Sequence, residues 1–214
     1  MKRSVLKCAS FAATLAIGAS AQANTIFSDF GPGGAFDTIT SEVVSGPTGF
    51  FAGTQTPAWA FTSGGDYAVG QIDLALSNFA GTNSAVVSLW TDVGGALGTE
   101  LGSWAVSGQP SDSTPLTSIN GITGVNLTSG DSYFVQVEAG ASDTFDGWSL
   151  NTQGYVSDFA NNGFSGAQNT AGAFDVLSPS AAAPEPNAWA LMIVGTFGTG
   201  ALLRTRRRKL APAA

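Results

Sequence analysis

The stretch that decides the fold is Ala68-Val-Gly-Gln-Ile-Asp-Leu-Ala-Leu-Ser77. In it Ile72, Leu74 and Leu76 fall on one side of an extended chain, and Gln71, Asp73 and Ser77 on the other. Alternation with this period sets an apolar row against a core and a polar row away from it. The same chemistry recurs along the chain. Residues 85–91 (Ala-Val-Val-Ser-Leu-Trp-Thr) read as a second strand, Asp92-Val-Gly-Gly-Ala-Leu-Gly98 as a turn, and 101–106 as the returning strand. Further strands are predicted over 122–127, over 133–138 with Tyr133, Val135 and Val137 on one side, over 145–150 and over 174–177. No window outside the two ends of the chain shows helical periodicity. About eight to ten short strands with regular turn signals predict an all-β fold. Its expected form is a single antiparallel, jelly-roll-like β-sandwich over residues 24–177.

Charge is distributed unevenly. Of 214 residues, 8 are Lys or Arg and 15 are Asp or Glu; there is no His and one Cys. The basic residues are Lys2, Arg3, Lys7, Arg204, Arg206, Arg207, Arg208 and Lys209, so none lies between Cys8 and Leu203. Fourteen of the acidic residues lie within 24–183, and the fifteenth is Glu185. A body of charge −14 with no cation has nothing to neutralise phosphates, which excludes a nucleic-acid partner. Asymmetry on this scale points to segments held in different compartments.

Residues 1–23 read as a signal peptide. Lys2, Arg3 and Lys7 form a positive start and an apolar run follows from Cys8 to Ala19. Ala21-Gln22-Ala23 supplies the small-x-small cleavage site, with cleavage expected after Ala23. At the other end, residues 188–203 form a second apolar run, read as a transmembrane helix and anchored by Trp189, Leu191, Met192, Ile193, Val194, Phe197, Leu202 and Leu203. Residues 204–214 form a basic tail whose stop-transfer residues are Arg204, Arg206, Arg207, Arg208 and Lys209. The positive-inside bias keeps both basic ends in the cytoplasm and sends everything between them across the membrane.

Between the body and the apolar run, residues 178–187 form a small-residue linker containing Pro184-Glu185-Pro186. The prolines keep this element extended and outside any helix. Pro-Glu-Pro, then Asn187-Ala-Trp-Ala-Leu-Met192 and a short apolar helix, then an arginine cluster at the terminus, resembles the PEP-CTERM sorting signal of Gram-negative bacteria. That resemblance implies signal peptidase and exosortase as processing enzymes, with Pro184, Glu185 and Pro186 as the recognition residues. It also implies contact with the membrane until the tail is removed. The implied destination is the cell envelope, outer surface or extracellular polysaccharide matrix of a biofilm-forming cell. The strand through 72–76, the turn Val87-Ser-Leu-Trp-Thr-Asp-Val-Gly-Gly-Ala-Leu-Gly98 and the closing Gly172-Ala-Phe-Asp-Val176 are similar to the choice-of-anchor β-domains of surface proteins. This second resemblance implies a fold and a location but no activity.

The exported body lacks His, Cys, Lys and Arg, which removes the Ser-His, Cys-His and Ser-Lys nucleophile systems and predicts a non-enzymatic protein without a cofactor. A carboxylate glycosidase, drawing on Glu42, Glu100, Glu138 and the aspartates, is the remaining catalytic alternative. Trp59, Trp90, Trp104 and Trp148 suggest another, a carbohydrate-binding module of the matrix, if they line a sheet face rather than a core. Asp143-Thr-Phe-Asp146-Gly147 and Asn161-Asn162-Gly163 offer oxygen ligands for a hard cation such as calcium, neither with EF-hand spacing, so the metal is left open. The unpaired charge carries a direct prediction. The thermal midpoint should rise when salt is raised from about 0.01 to about 0.15 M, as screening relieves self-repulsion. Scanning calorimetry checks it, and a midpoint that falls over this range contradicts it.

Overall fold

The computed structural model describes residues 23–50, 53–111 and 116–180. The signal segment through Gln22, the Pro-Glu-Pro motif, the apolar run and the basic tail lie outside the described residues. Residues 23–180 belong to one compact unit. Among the described residues the protein is all-β, with antiparallel pairing throughout and no helix.

Fifteen strand segments follow one another. They are β1 (Thr25–Ser28), β2 (Ser41–Ser45), β3 (Ala58–Thr62), β4 (Tyr67–Ala68), β5 (Gln71–Leu74), β6 (Leu76–Ala80), β7 (Ser84–Asp92), β8 (Leu97–Ser107), β9 (Thr117–Asn120), β10 (Asn126–Leu127), β11 (Ser132–Ala139), β12 (Phe145–Ser149), β13 (Val156–Asn161), β14 (Phe164–Thr170) and β15 (Phe174–Leu177). Six of them form the largest sheet, in the order β14-β13-β3-β11-β7-β8. Four form the sheet β1-β15-β5-β9, three form β2-β12-β6, and β10 pairs with β4.

One core joins the three larger sheets. The six-stranded sheet contributes Trp59, Phe61, Val87, Leu89, Val135 and Val137. Ile72, Leu74, Phe174 and Val176 enter from the four-stranded sheet, and Val44, Leu76 and Trp148 from the three-stranded one. β11 is buried on both faces, not one: Phe134 and Gln136 are buried alongside Val135 and Val137. On the far face Phe134 packs with Ala58, Ala60 and Ala160 in a second small cluster, flanked by Trp90 and Leu97.

The strand expected over 68–77 is divided. Ile72, Leu74 and Leu76 do share the core face, but the chain leaves one sheet after Leu74 and joins another at Leu76. Ala75 makes the crossing. Its N–H donates to Ala173 O (3.0 Å), and its carbonyl accepts the N–H of Ser149 (2.9 Å). The same Ala173 carbonyl accepts the indole Nε1–H of Trp148 at 3.0 Å. A buried backbone group must find a partner, and here one carbonyl serves both a strand crossing and a large core side chain.

Other expectations are corrected at turns. The strand predicted over 122–127 is reduced to β10 at Asn126–Leu127: Gly121 and Gly124 take positive φ (73° and 78°), and β9 ends at Asn120. The turn expected over 92–98 closes tighter, with Val93 N–H donating to Ala96 O (2.9 Å), so Leu97 and Gly98 already belong to β8. The oxygen-rich Asn161-Asn162-Gly163 is the tip of the β13–β14 hairpin, with Asn162 at φ 47° and Gly163 at φ 80°, the left-handed geometry an Asn-Gly turn provides.

Trp148 is fully buried and meets Trp59 edge-on, with ring centroids 4.7 Å apart at 88°, and Phe174 at 5.8 Å. Trp148→Ala is predicted to cost about 3–5 kcal/mol of unfolding free energy, because the cavity adds to the lost contacts. Denaturant titration measures it; a loss under about 1 kcal/mol would contradict this placement.

Candidate functional site

The four tryptophans form no common stacking surface. Trp59 and Trp148 are consumed by the core. Trp104 lies opposite Val87 and Trp90 opposite Glu100, which puts the two half-buried rings on opposite faces of the six-stranded sheet. Trp104 packs against the main core, whereas the Trp90 Nε1–H donates to Ser88 Oγ (2.8 Å). The exposed aromatic group is instead phenylalanine. Phe50, 77 % exposed, stacks on Phe145 at 5.4 Å, and Phe79 meets Phe145 at 5.7 Å.

The carboxylates separate into surface and interior groups. Glu42, Glu100 and Glu138 do not converge. Glu42 belongs to the three-stranded sheet, while Glu138 pairs with Val86 and Glu100 with Trp90, roughly 13 Å farther along β7. That exceeds the about 5–10 Å that places two carboxyls on one glycosidic bond. Asp146 is not a loop ligand, as its sequence context suggested. It sits in β12 opposite Val44 and Asn78, wholly buried, with Oδ1 accepting the Asn78 Nδ2–H at 2.7 Å. Among the described residues no group of three or more Asp, Glu, His or Cys side chains could hold a metal ion.

A second interior group lies along β15. Asp29, 3 % exposed, exchanges hydrogen bonds with Phe174: its N–H donates to Phe174 O (3.3 Å), and its Oδ1 accepts the Phe174 N–H (2.8 Å). Asp175 stands directly opposite Asp73, whose two oxygens accept Gln71 Nε2–H at 2.9 and 2.7 Å. With no Lys, Arg or His in this body, burial has nothing to offset it but backbone amides, side-chain amides and protons. Burial therefore pushes Asp29 up to about 7 against the opposing Phe174 amide. It pushes Asp175 up to about 7 as well, aided by the charge of Asp73 and a carboxyl–carboxyl hydrogen bond to it. Asp146 rises to about 6, also through burial, with the Asn78 hydrogen bond opposing. Oδ2 of Asp29 and of Asp146 and Oδ1 of Asp175 are buried without a hydrogen-bond partner, which adds to the cost of ionising these carboxyls. The burial of Asp29 and Asp146 keeps both from a substrate.

Ala23 and Asn24 are the predicted signal-cleavage residues among those described; Ala23 is half-buried and Asn24 exposed. Ala21, Pro184, Glu185, Pro186 and the tail residues lie outside the described residues. No protein-family model matches the chain, and no curated protein matches it.

The raised carboxyls fix the sign of the pH dependence. Below their unfolded value of 3.8 these groups are protonated in both states; between there and their folded values the folded state holds more protons. Stability is therefore lost as pH rises from about 4 through about 7. Each carboxyl that stays protonated only in the folded state removes about 1.4 kcal/mol for every pH step of one over that interval. The thermal midpoint should be higher at pH 5 than at pH 8, and Asp146→Asn should flatten the difference. A midpoint that rises with pH over this interval contradicts it.

Proposed function

We propose that the protein is an exported, non-enzymatic β-sandwich of jelly-roll type, carried to the cell envelope, outer surface or matrix of a Gram-negative bacterium by a PEP-CTERM tail. In this reading a signal helix over 1–23 and a membrane helix over 188–203 hold the chain at the inner membrane. Signal peptidase cuts after Ala23, and exosortase recognises Pro184, Glu185 and Pro186. The observation that carries the reading is the charge pattern: no cation between Cys8 and Leu203, and basic clusters just outside both apolar segments.

The geometry of the body is compatible with this route. β1 pairs only with β15 at the edge of its sheet, so the residue after the expected cleavage lies beside the start of the linker. Asn24 N–H donates to Ser178 Oγ (2.9 Å), and Ser178 N–H donates to Asn24 O (2.8 Å). The two ends of the described body therefore lie side by side, which is compatible with attachment at both ends to one membrane.

Replacing Pro184, Glu185 and Pro186 together with alanine should leave export intact and retain the tail. The mass of the mature protein, in wild-type cells and in cells lacking exosortase, is the test. A smaller mass only in the wild type supports the route; equal masses in both strains refute it.

A further inference from the structure

A cavity of about 350 Å³ lies between the end of β8 and the start of β9, each the outermost strand of its sheet. Val106, Ser107, Gln109, Pro110, Leu116 and Ser118 are among its lining residues, and among the described residues none that lines it bears a charge. In a body with fourteen carboxylates and no cation, the field disfavours anionic ligands, and the hollow itself offers no charged partner among its described lining.

Gln109 is the unusual member. It is 4 % exposed, yet neither its Nε2 nor its Oε1 has a hydrogen-bond partner. A carboxamide offers two donors and an acceptor, and leaving all of them unpaired in the interior is costly. The backbone around it is fixed, with Gln109 N–H donating to Asn83 Oδ1 (2.9 Å) and Asn83 Nδ2–H to Gln109 O (2.8 Å). Asn78 N–H donates to Pro110 O (2.8 Å), and Thr117 Oγ1–H donates to Leu76 O (3.0 Å) on the opposite wall. A rigid frame thus carries an unsatisfied fork of donor and acceptor.

We propose that this cavity binds a neutral saccharide unit, with Gln109 bonding a pair of adjacent hydroxyls. Vicinal hydroxyls present a donor and an acceptor side by side, which matches the amide, and the C–H faces of a pyranose suit Val106, Pro110 and Leu116. Ser107 and Ser118 supply hydroxyls for the remaining polar edge. The volume is near the lower limit of small-molecule pockets, about 300–1,000 Å³, and accommodates a mono- or disaccharide. Both amide atoms are shielded from solvent, so a rotation of the Gln109 side chain accompanies entry. Saccharide binding here depends on this cavity alone and stands or falls independently of the sorting route.

The test uses the full chain purified in a sugar-free detergent, with saturation-transfer NMR against glucose, galactose, mannose, maltose and cellobiose. At least one of these should receive magnetisation at about 10 mM or below. Gln109→Met, of similar length but without the amide, should weaken that binding about tenfold while matching or exceeding the wild-type thermal midpoint. Leu116→Trp, at the partly exposed margin, should block the cavity and abolish binding without touching Gln109. Absence of transfer to every saccharide overturns the proposal. So does equal binding by both variants, or transfer to N-methylacetamide alone.

Discussion

The constraint on which this structure depends is that fourteen carboxylates between residues 24 and 183 must be accommodated without a single basic side chain. In most domains a buried acid is matched by Arg or Lys, and its ordinary pKa falls. Here the only neutralising agents are backbone amides, side-chain hydrogen-bond donors and protons. Exposed carboxylates use the first two. Asp37 is held below its usual range by the backbone N–H groups of Ile39 and Thr40, and Asp143 by a side-chain hydrogen bond from Thr82. The interior ones, Asp29, Asp146 and Asp175, move the other way and hold their protons to higher pH than an exposed aspartate does. Each of these buried acids becomes more costly to the fold as the medium turns alkaline and it ionises.

The second organising element is the junction at Ala75, Ser149 and Ala173. Three strands meet there, and the carbonyl of Ala173 accepts both the Ala75 amide and the Trp148 indole. Trp148 in turn contacts Trp59 across the core and Phe174 beside it. Strand exchange between the four- and three-stranded sheets, and their common packing against the six-stranded sheet, thus share one local hydrogen-bond arrangement.

Much of the fold was legible from alternation and turn chemistry. The apolar row Ile72, Leu74 and Leu76, the β7–β8 hairpin around Gly94 and Gly95, and the strands at 133–138, 145–150 and 174–177 follow from patterns that act over a few residues. The division at Ala75 was not legible, because a strand that changes sheets keeps its period of two while changing partners. The two-sided burial of β11 was hidden for a related reason: Phe134 and Gln136 are covered by residues distant in sequence. The site was less legible than the fold. Tryptophan count suggested a stacking surface, but two rings were needed by the core and the other two diverged. Gln109 carries no motif, and only its burial without a partner distinguishes it from any other glutamine.

Basic residues are confined to the two ends of the chain, Asn24 and Ser178 are bonded at one sheet edge, and the acidic body between them carries no cation. This body accommodates its interior acids by raising their affinity for protons, with no cation to pair them. Carboxyl carbon chemical shifts of the aspartates, followed by NMR from about pH 3 to about pH 9, measure this directly. The expected midpoints are about 7 for Asp29 and Asp175 and about 6 for Asp146. Midpoints near the ordinary carboxylate value of about 4 for all three would contradict it.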